Sequence, residues 1–214
     1  MYKKKFFIVF EGIEGSGKSY QSKKLFENLK KNKIHTILTR EPGGTNSAER
    51  IRDLILKDYF HNKKEEQFDK YTDTLLYLAA RNEHIKNKIR PALNKKKIII
   101  CDRYIDSTMA YQVYGKGVSK FLIDAIHNKI LNGIKPNLTF LLKVNINKAL
   151  KRLNQRKKKN RYDKFTKSFY NKVQKSFIKI ARNKKNNYYI LDNSIDNKTL
   201  ETNILNIVLK KIRK

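Results

Sequence analysis

The 214-residue sequence has one cysteine, three prolines and no tryptophan. The single cysteine, Cys101, excludes an intramolecular disulfide framework and suits a reducing compartment. No apolar stretch approaches the ~20 residues that a membrane-spanning helix needs. The apolar run from Phe6 to Phe10 is too short for the core of a signal peptide and leads into a glycine-rich loop. We therefore expect a soluble, cytoplasmic protein with no membrane partner.

Acidic residues are also scarce. The chain has 19 Asp and Glu against 50 Lys and Arg, which gives a formal net charge of +31. Such a surface attracts phosphate groups, and nucleic-acid binding is one interpretation. The lysines are spread along the whole chain, however, and no recognisable nucleic-acid-binding motif accompanies them. We therefore do not expect nucleic-acid binding to be the main function.

The chain shows no internal repeat and no linker, so we predict a single domain over residues 1–214. Short apolar segments alternate with longer segments of helical spacing, which predicts a parallel sheet covered by helices on both faces. The predicted strands are Lys5–Phe10, His35–Thr39, Lys97–Cys101, Asn137–Leu142 and Tyr188–Leu191. The predicted helices are Ser19–Lys31, Asn46–Lys57, Tyr71–Leu93, Val118–Asn132, Asp163–Asn183 and Thr199–Ile212.

A phosphate-binding loop follows the first predicted strand. The sequence matches G-x-x-x-x-G-K-[ST] without a mismatch, and a helical pattern follows it. In such a loop the backbone N–H groups surround the phosphates, the lysine reaches the β- and γ-phosphates and the hydroxyl holds Mg²⁺. The motif predicts an α/β P-loop NTPase fold in three layers that binds a nucleoside triphosphate and Mg²⁺, and it leaves GTPases, ATPases and kinases open. Its residues are Gly12, Ile13, Glu14, Gly15, Ser16, Gly17, Lys18 and Ser19.

Five further segments narrow the function. They are FEGIEGSGKS from Phe10, TREPGGT from Thr39, LLYLAAR from Leu75, IIICDRY from Ile98 and STMAYQ from Ser107. In order and spacing this set resembles the bacterial-type thymidylate kinases, from about residue 5 to residue 185. The resemblance implies ATP-dependent phosphorylation of dTMP to dTDP, in dTTP biosynthesis, by a homodimer.

The resemblance also implies roles for individual residues. Glu14 would lie near the acceptor's 3′-hydroxyl, and Arg52 and Arg103 would hold its phosphate. Asp102 ends an apolar strand, where a P-loop fold places the carboxylate that organises Mg²⁺ with Ser19. Four of the remaining acceptor-site residues form two pairs at helical i, i+4 spacing, Tyr77 with Arg81 and Thr108 with Gln112. The other two acceptor-site residues are Glu41 and Tyr111.

A basic run from Gln155 to Arg161 interrupts the helical patterns. Most such runs are solvated loops, and that interpretation stays open. The phosphate loop carries no arginine, and in the family a lid then supplies the catalytic one. We therefore predict a small basic lid over about residues 154–163, with Arg161 as the first lid candidate and Arg156 as the second. Together with Lys18, Arg103 and Glu14 they form the predicted catalytic set.

Four positions depart from the family pattern: Tyr20, Tyr77 in place of the usual Phe, Val113 and Lys116. Tyr77 still favours thymine, but Val113 and Lys116 leave open a broader acceptor range, with dUMP or dGMP as alternatives to dTMP. A basic P-loop ATPase that binds nucleic acid is an alternative from another class, but it would leave the Leu75–Arg81 and Ser107–Gln112 segments unexplained.

Overall fold

The computed structural model describes residues 5–57, 68–157, 160–184, 187–193 and 197–213. Two residues of the predicted lid, 158 and 159, thus lie outside the described residues. Every predicted strand is present, with ends shifted by at most one residue. The strands are β1 (Phe6–Glu11), β2 (Thr36–Arg40), β3 (Ile98–Asp102), β4 (Leu138–Lys143) and β5 (Tyr188–Asp192).

All five strands are parallel and lie in the order β2-β3-β1-β4-β5. Strand β1 lies between β3 and β4, and its Phe10 is in register with Asp102 on one side and Phe140 on the other. The central strands are apolar along nearly their whole length because helices cover both faces of the sheet. The predicted α/β fold is confirmed.

Helices connect the strands. They are α1 (Lys18–Lys31), α2 (Asn46–Leu56), α3 (Lys70–His84), α4 (Arg90–Asn94), α5 (Ile105–Thr108), α6 (Lys120–Leu131), α7 (Ile146–Asn154), α8 (Lys167–Asn183) and α9 (Asn197–Arg213). Single π-helical segments, Ile85–Ile89 and Met109–Gly115, follow α3 and α5. Among the described residues, no helix is both long enough and apolar enough to cross a membrane.

One predicted helix has the wrong start. Residues 161–164 form a short 3₁₀ turn, whose first backbone groups are capped by Asn160 and Asp163. Helix α8 begins afterwards at Lys167, where the Thr166 side chain accepts a hydrogen bond from the backbone N–H of Phe169. These two caps separate the turn from α8 because each satisfies N–H groups that a continuous helix would have bonded internally. Helix α7 is not among the predicted helices.

Candidate active site

A cavity of about 370 Å³ opens at the carboxyl ends of the strands, where open α/β sheets bind ligands. It joins the phosphate loop to the predicted acceptor site. Its walls include sixteen residues in the predicted binding segments and their neighbours: Glu14, Gly15, Gly17, Lys18, Ser19, Tyr20, Glu41, Arg52, Tyr77, Arg81, Asp102, Arg103, Ser107, Thr108, Tyr111 and Gln112. From the lid side come Arg152, Arg156, Asn160 and Tyr162.

The phosphate loop connects β1 to the N-terminus of α1. Gly17 precedes the helix with a φ of 89°, and a Cβ placed there would lie 2.5 Å from Nδ2 of Asn193. Lys18 is buried, and its Nζ donates to the carbonyl oxygen of Ile13 at 2.7 Å. Burial, followed by the charge of Arg103, lowers the pKa of Lys18 to about 8. The Ile13 side chain lies in the core, so Ile13 contributes to the loop through its backbone.

Two predicted Mg²⁺ ligands lie in contact. The hydroxyl of Ser19 donates a hydrogen bond to Oδ2 of Asp102. The other carboxylate oxygen of Asp102, Oδ1, is buried and has no hydrogen-bond partner among the described residues. A hydroxyl beside a carboxylate oxygen without a partner is the oxygen-rich environment that Mg²⁺ prefers.

Glu14 and Arg103 form an ion pair inside the cavity, with Oε1 of Glu14 2.8 Å from Nη2 of Arg103. Burial alone would raise the pKa of Glu14, but the charges of Arg103, Lys18 and Arg156 lower it to about 2. Arg103 has a φ of 71°, and its Nη1 donates to the Gly12 carbonyl oxygen, at 2.9 Å. The carboxylate and the guanidinium are thus held between the phosphate loop and the acceptor side.

Ser107 and Glu11 also hold the Arg103 side chain in place through hydrogen bonds. Its Nη1 donates to the hydroxyl of Ser107 at 2.9 Å, and that hydroxyl donates to Oε2 of Glu11 at 2.6 Å. Glu11 is fully buried and also accepts hydrogen bonds from the backbone N–H groups of Tyr104 and Ser107. Burial and the charge of Asp106 raise the pKa of Glu11 to about 7. Sequence reasoning missed Glu11, although it ends β1 at the edge where ligands bind.

A buried polar cluster surrounds Arg81. Its Nε donates to Glu41 at 2.7 Å, and Glu41 also lies 3.0 Å from Nδ1 of His84. Nη1 of Arg81 donates to Thr108 at 2.8 Å and lies 2.8 Å from Nε2 of His127. Burial, then the charge of Arg81, lowers the pKa of His127 to about 3, so the imidazole is neutral and its Nε2 accepts. The structure thus brings Glu41, Arg81 and Thr108 together.

The other acceptor-site residues line the same cavity. Nη1 of Arg52 donates to the Pro42 carbonyl oxygen at 2.6 Å. The Tyr111 hydroxyl accepts a hydrogen bond from the backbone N–H of Glu14 at 3.2 Å, which connects the acceptor wall to the phosphate loop. Gln112 is buried in that wall.

The two predicted lid arginines have different surroundings. Arg156 lines the cavity; its Nη1 lies 3.1 Å from Asp163 and its Nη2 lies 3.9 Å from Glu14. Arg161, the first lid candidate, does not line the cavity and pairs instead with the buried Asp73 on α3. The structure therefore places the second candidate, not the first, beside the phosphate loop.

Sequence reasoning missed two other residues at the phosphate loop. Nη1 of Arg152, on α7, donates to the Gly15 carbonyl oxygen at 2.9 Å. Nδ2 of Asn193, after β5, donates to the Ser16 carbonyl oxygen at 2.6 Å. Arg152 precedes Arg156 by four residues, and this helical spacing was the signal that could have identified it.

Three of the departures have structural partners. The Tyr20 hydroxyl donates to Glu201 on α9 at 2.8 Å. Nζ of Lys116 donates to Asp73 at 2.7 Å, so the lysine retains an ion pair. Val113 packs beside Leu78 and Ile123.

The chain is similar to known thymidylate kinases. The family model for thymidylate kinase matches residues 10–204. The chain is 43% identical over 208 residues to the thymidylate kinase of Wolbachia sp. subsp. Brugia malayi (strain TRS), covering 94% of this chain and 95% of that protein. It is 39% identical over 191 residues to the thymidylate kinase of Sulfurihydrogenibium sp. (strain YO3AOP1), covering 89% and 90% of the two chains.

A solved structure has the same architecture. The crystal structure of thymidylate kinase from Ehrlichia chaffeensis is similar to this chain with a TM-score of 0.75 and 31% identity, covering 96% of this chain and 99% of that one. The family model spans most of the chain, and the relatives match it nearly end to end. This chain therefore belongs to the thymidylate kinase family.

Proposed function

We propose that the protein transfers the γ-phosphoryl group of ATP to dTMP, and that the cavity at the carboxyl ends of the strands holds both nucleotides. The observation that carries this proposal is the Glu14–Arg103 ion pair, which lies where the phosphate loop meets the acceptor wall. A phosphate donor on the loop and a phosphate acceptor at Arg103 would face each other there. In-line transfer needs this placement more than it needs covalent chemistry from the protein.

The acceptor would occupy the side of the cavity formed by α3 and the segment after β3. Tyr77 offers a ring for the thymine, and Thr108 and Gln112 line the same cavity. Arg52 and Arg103 would bind the acceptor phosphate, and Tyr111 would lie against the deoxyribose. Because the buried Glu41 fixes Arg81, the guanidinium meets the base without reorganisation.

The catalytic roles follow from position and charge. Lys18 and Arg103 would stabilise the charge that develops on the transferred group, and Glu14 would orient Arg103. Arg156 lies beside the loop, so we propose it as the lid arginine that contacts the donor phosphates, with Arg161 as a lid residue that pairs with Asp73 on α3. No general base is needed, because a phosphate dianion is already a competent nucleophile.

Ser19 and Asp102 would hold Mg²⁺, supported by the buried Oδ1 of Asp102 that lacks a hydrogen-bond partner in the described part of the chain. When bound with ATP, Mg²⁺ neutralises part of the phosphate charge. Its binding can be measured separately, by titrating the Asp102→Asn variant and the wild-type protein with Mg²⁺ and ATP.

We also propose that the protein is a cytoplasmic homodimer. The exposed large apolar side chains include Leu75 on α3 and Phe121 on α6, which is 83% exposed. These two helices pack against each other through Leu78 and Ile123, so the exposed groups lie on neighbouring elements. A second copy covering them would remove this apolar surface from water. Sedimentation of wild-type protein and a Phe121→Lys variant tests this: the wild type should be dimeric and the variant more dissociated.

The reaction is tested by ADP release from Mg²⁺·ATP with dTMP, dUMP, dGMP, dCMP and AMP supplied separately. A strong preference for dTMP is the expected result, and comparable turnover with dUMP or dGMP would indicate a broader acceptor range. Lys18→Ala should lose at least ~100-fold in kcat, whereas Lys23→Ala, an exposed lysine on the same helix, should not. Near-native turnover by Lys18→Ala, or ATP hydrolysis that depends on nucleic acid, would refute the proposal.

A further inference from the structure

One face of α3 contacts both the acceptor cavity and the lid. Asp73, Tyr77 and Arg81 are spaced four residues apart, so their side chains lie along one stripe of the helix. Arg81 and Tyr77 line the cavity. Asp73, one turn before Tyr77, is completely buried and pairs with Arg161 of the lid and with Lys116.

Tyr162, the residue after Arg161, makes the second contact between the lid and this stripe. Its hydroxyl accepts a hydrogen bond from the Tyr77 hydroxyl at 2.6 Å. Its ring lies edge-on to the rings of Tyr77 and Tyr111, with centroids 6.4 and 5.8 Å away. Tyr162 is itself a wall of the cavity, although it belongs to the lid. The shape of the acceptor pocket therefore depends on where the lid is seated.

In each contact one partner is buried, Asp73 in the first and Tyr162 in the second, so either contact would be costly to leave unmade. If Arg161 left its position, the buried Asp73 would retain Lys116 as a cation but lose one of its two partners. If Tyr162 moved away, the Tyr77 hydroxyl would lose the hydrogen bond that it donates to the Tyr162 hydroxyl. The hydroxyl of Tyr77 is also a feature of this chain, because the usual Phe at this position has none.

We infer that Asp73 and the hydroxyl of Tyr77 are positioning residues that seat the lid on α3 and so complete the dTMP pocket. The inference rests on the proposed function, since it assigns this side of the cavity to dTMP. Neither group touches the reacting atoms. Their effect passes through Arg161 and Tyr162, and it should appear in acceptor binding more than in ATP binding.

A double-mutant cycle tests the hydroxyl pair. Tyr77→Phe and Tyr162→Phe should each raise the KM for dTMP about two- to tenfold and leave the KM for ATP within about twofold. The double variant should be less impaired than the product of the two single effects, because both substitutions remove the same bond. Tyr189→Phe, which removes a hydroxyl from β5 away from the cavity, is the matched control. Equal increases in both KM values, or independent effects in the cycle, would overturn the inference.

Hydrogen exchange tests the ion pair without any substrate. In Asp73→Asn the backbone amides of residues 161–165 should exchange at least about threefold faster than in the wild type, while those of the central strands do not change. Asp124→Asn, which removes a carboxylate from an exposed pair on α6, is the control. If Asp73→Asn unfolds, Arg161→Gln provides the same test from the lid side. Unchanged exchange in a folded variant would refute the seating role.

The two proposals can fail separately. Wild-type turnover with dTMP decides the function, whereas the ratios of variant to wild type and the exchange rates decide the lid seating. If Asp73→Asn exchanges faster but the wild-type protein does not phosphorylate dTMP, the contact between α3 and the lid is supported. Its assignment to the dTMP pocket is then rejected.

Discussion

The carboxylate of Glu14 lies 2.8 Å from the guanidinium of Arg103, at the point where the phosphate loop meets the acceptor wall. The two residues are 89 positions apart in the chain and come together because β1 and β3 are adjacent in the sheet. Glu14 thus pairs with a guanidinium that is proposed to bind phosphate.

The Glu14–Arg103 pair should make the free energy of unfolding depend on pH in the acid range. The pKa of Glu14 in the folded chain is about 2, below its ordinary value of 4.5, so its contribution is complete above about pH 4.5 and is lost as the pH falls toward 2. The contribution of Glu14 to the free energy of unfolding is about 3 kcal/mol. We expect the difference in unfolding free energy between wild type and Glu14→Gln to be constant above pH 5 and to shrink between pH 4.5 and 3. Urea denaturation measures this difference, with Glu27→Gln, whose side chain on α1 is partly exposed, as control; a pH-independent difference would contradict this.

Arg152 should contribute to ATP binding. Its guanidinium donates to the Gly15 carbonyl oxygen and lines the cavity. Arg152→Met should raise the KM for ATP about tenfold and leave the KM for dTMP nearly unchanged, since the contact is on the loop side. Initial rates at saturating dTMP measure this effect. Lys151→Met, which removes an exposed cation from the same helix, is the control. An equal rise in the KM for ATP in both variants would mean that the loss of any positive charge near the loop, and not the contact with Gly15, weakens ATP binding.

The phosphate loop could be predicted from sequence because its groups are contiguous and its backbone geometry is local. The strands were also predictable, because strands covered on both faces are apolar throughout. Acceptor-wall residues such as Tyr77 depended on the family resemblance.

Partners that come from separate segments could not be predicted. Nothing local to His127 indicates that it accepts a hydrogen bond from Arg81, 46 residues earlier. In the same way, the pairing of Arg161 with Asp73 depends on how α3 lies against the lid. Arg161 was ranked before Arg156 on the family resemblance, because sequence gives the charge of a side chain but not its direction.

Gly17 and Gly133 offer a matched pair of substitutions. Both have positive φ, 89° and 77°, so alanine is strained at either position. A Cβ at Gly133 meets nothing within 4 Å, whereas one at Gly17 meets Nδ2 of Asn193 at 2.5 Å. Gly133→Ala should therefore cost about 1 kcal/mol, and Gly17→Ala should cost more and also weaken ATP binding as Asn193 is displaced. Thermal unfolding measures the stability of both variants, and ATP titration measures their affinity for ATP. Equal destabilisation would mean that the Asn193 side chain moves aside without cost.

The buried cluster around Glu41 should contribute far more to stability than the ion pairs at the surface. Glu41 is buried with Arg81 and His84, and although burial opposes its ionisation, the charge of Arg81 holds its pKa below the ordinary range. Glu41→Ala leaves a buried guanidinium without its carboxylate, which should cost about 3–5 kcal/mol. Asp53→Ala removes the carboxylate of a pair whose side chains are 59–60% exposed, and it should cost less than about 1 kcal/mol. Urea denaturation of both variants tests this difference. Similar losses for the two would show that water reaches Arg81 once Glu41 is removed, since a hydrated guanidinium no longer needs the carboxylate.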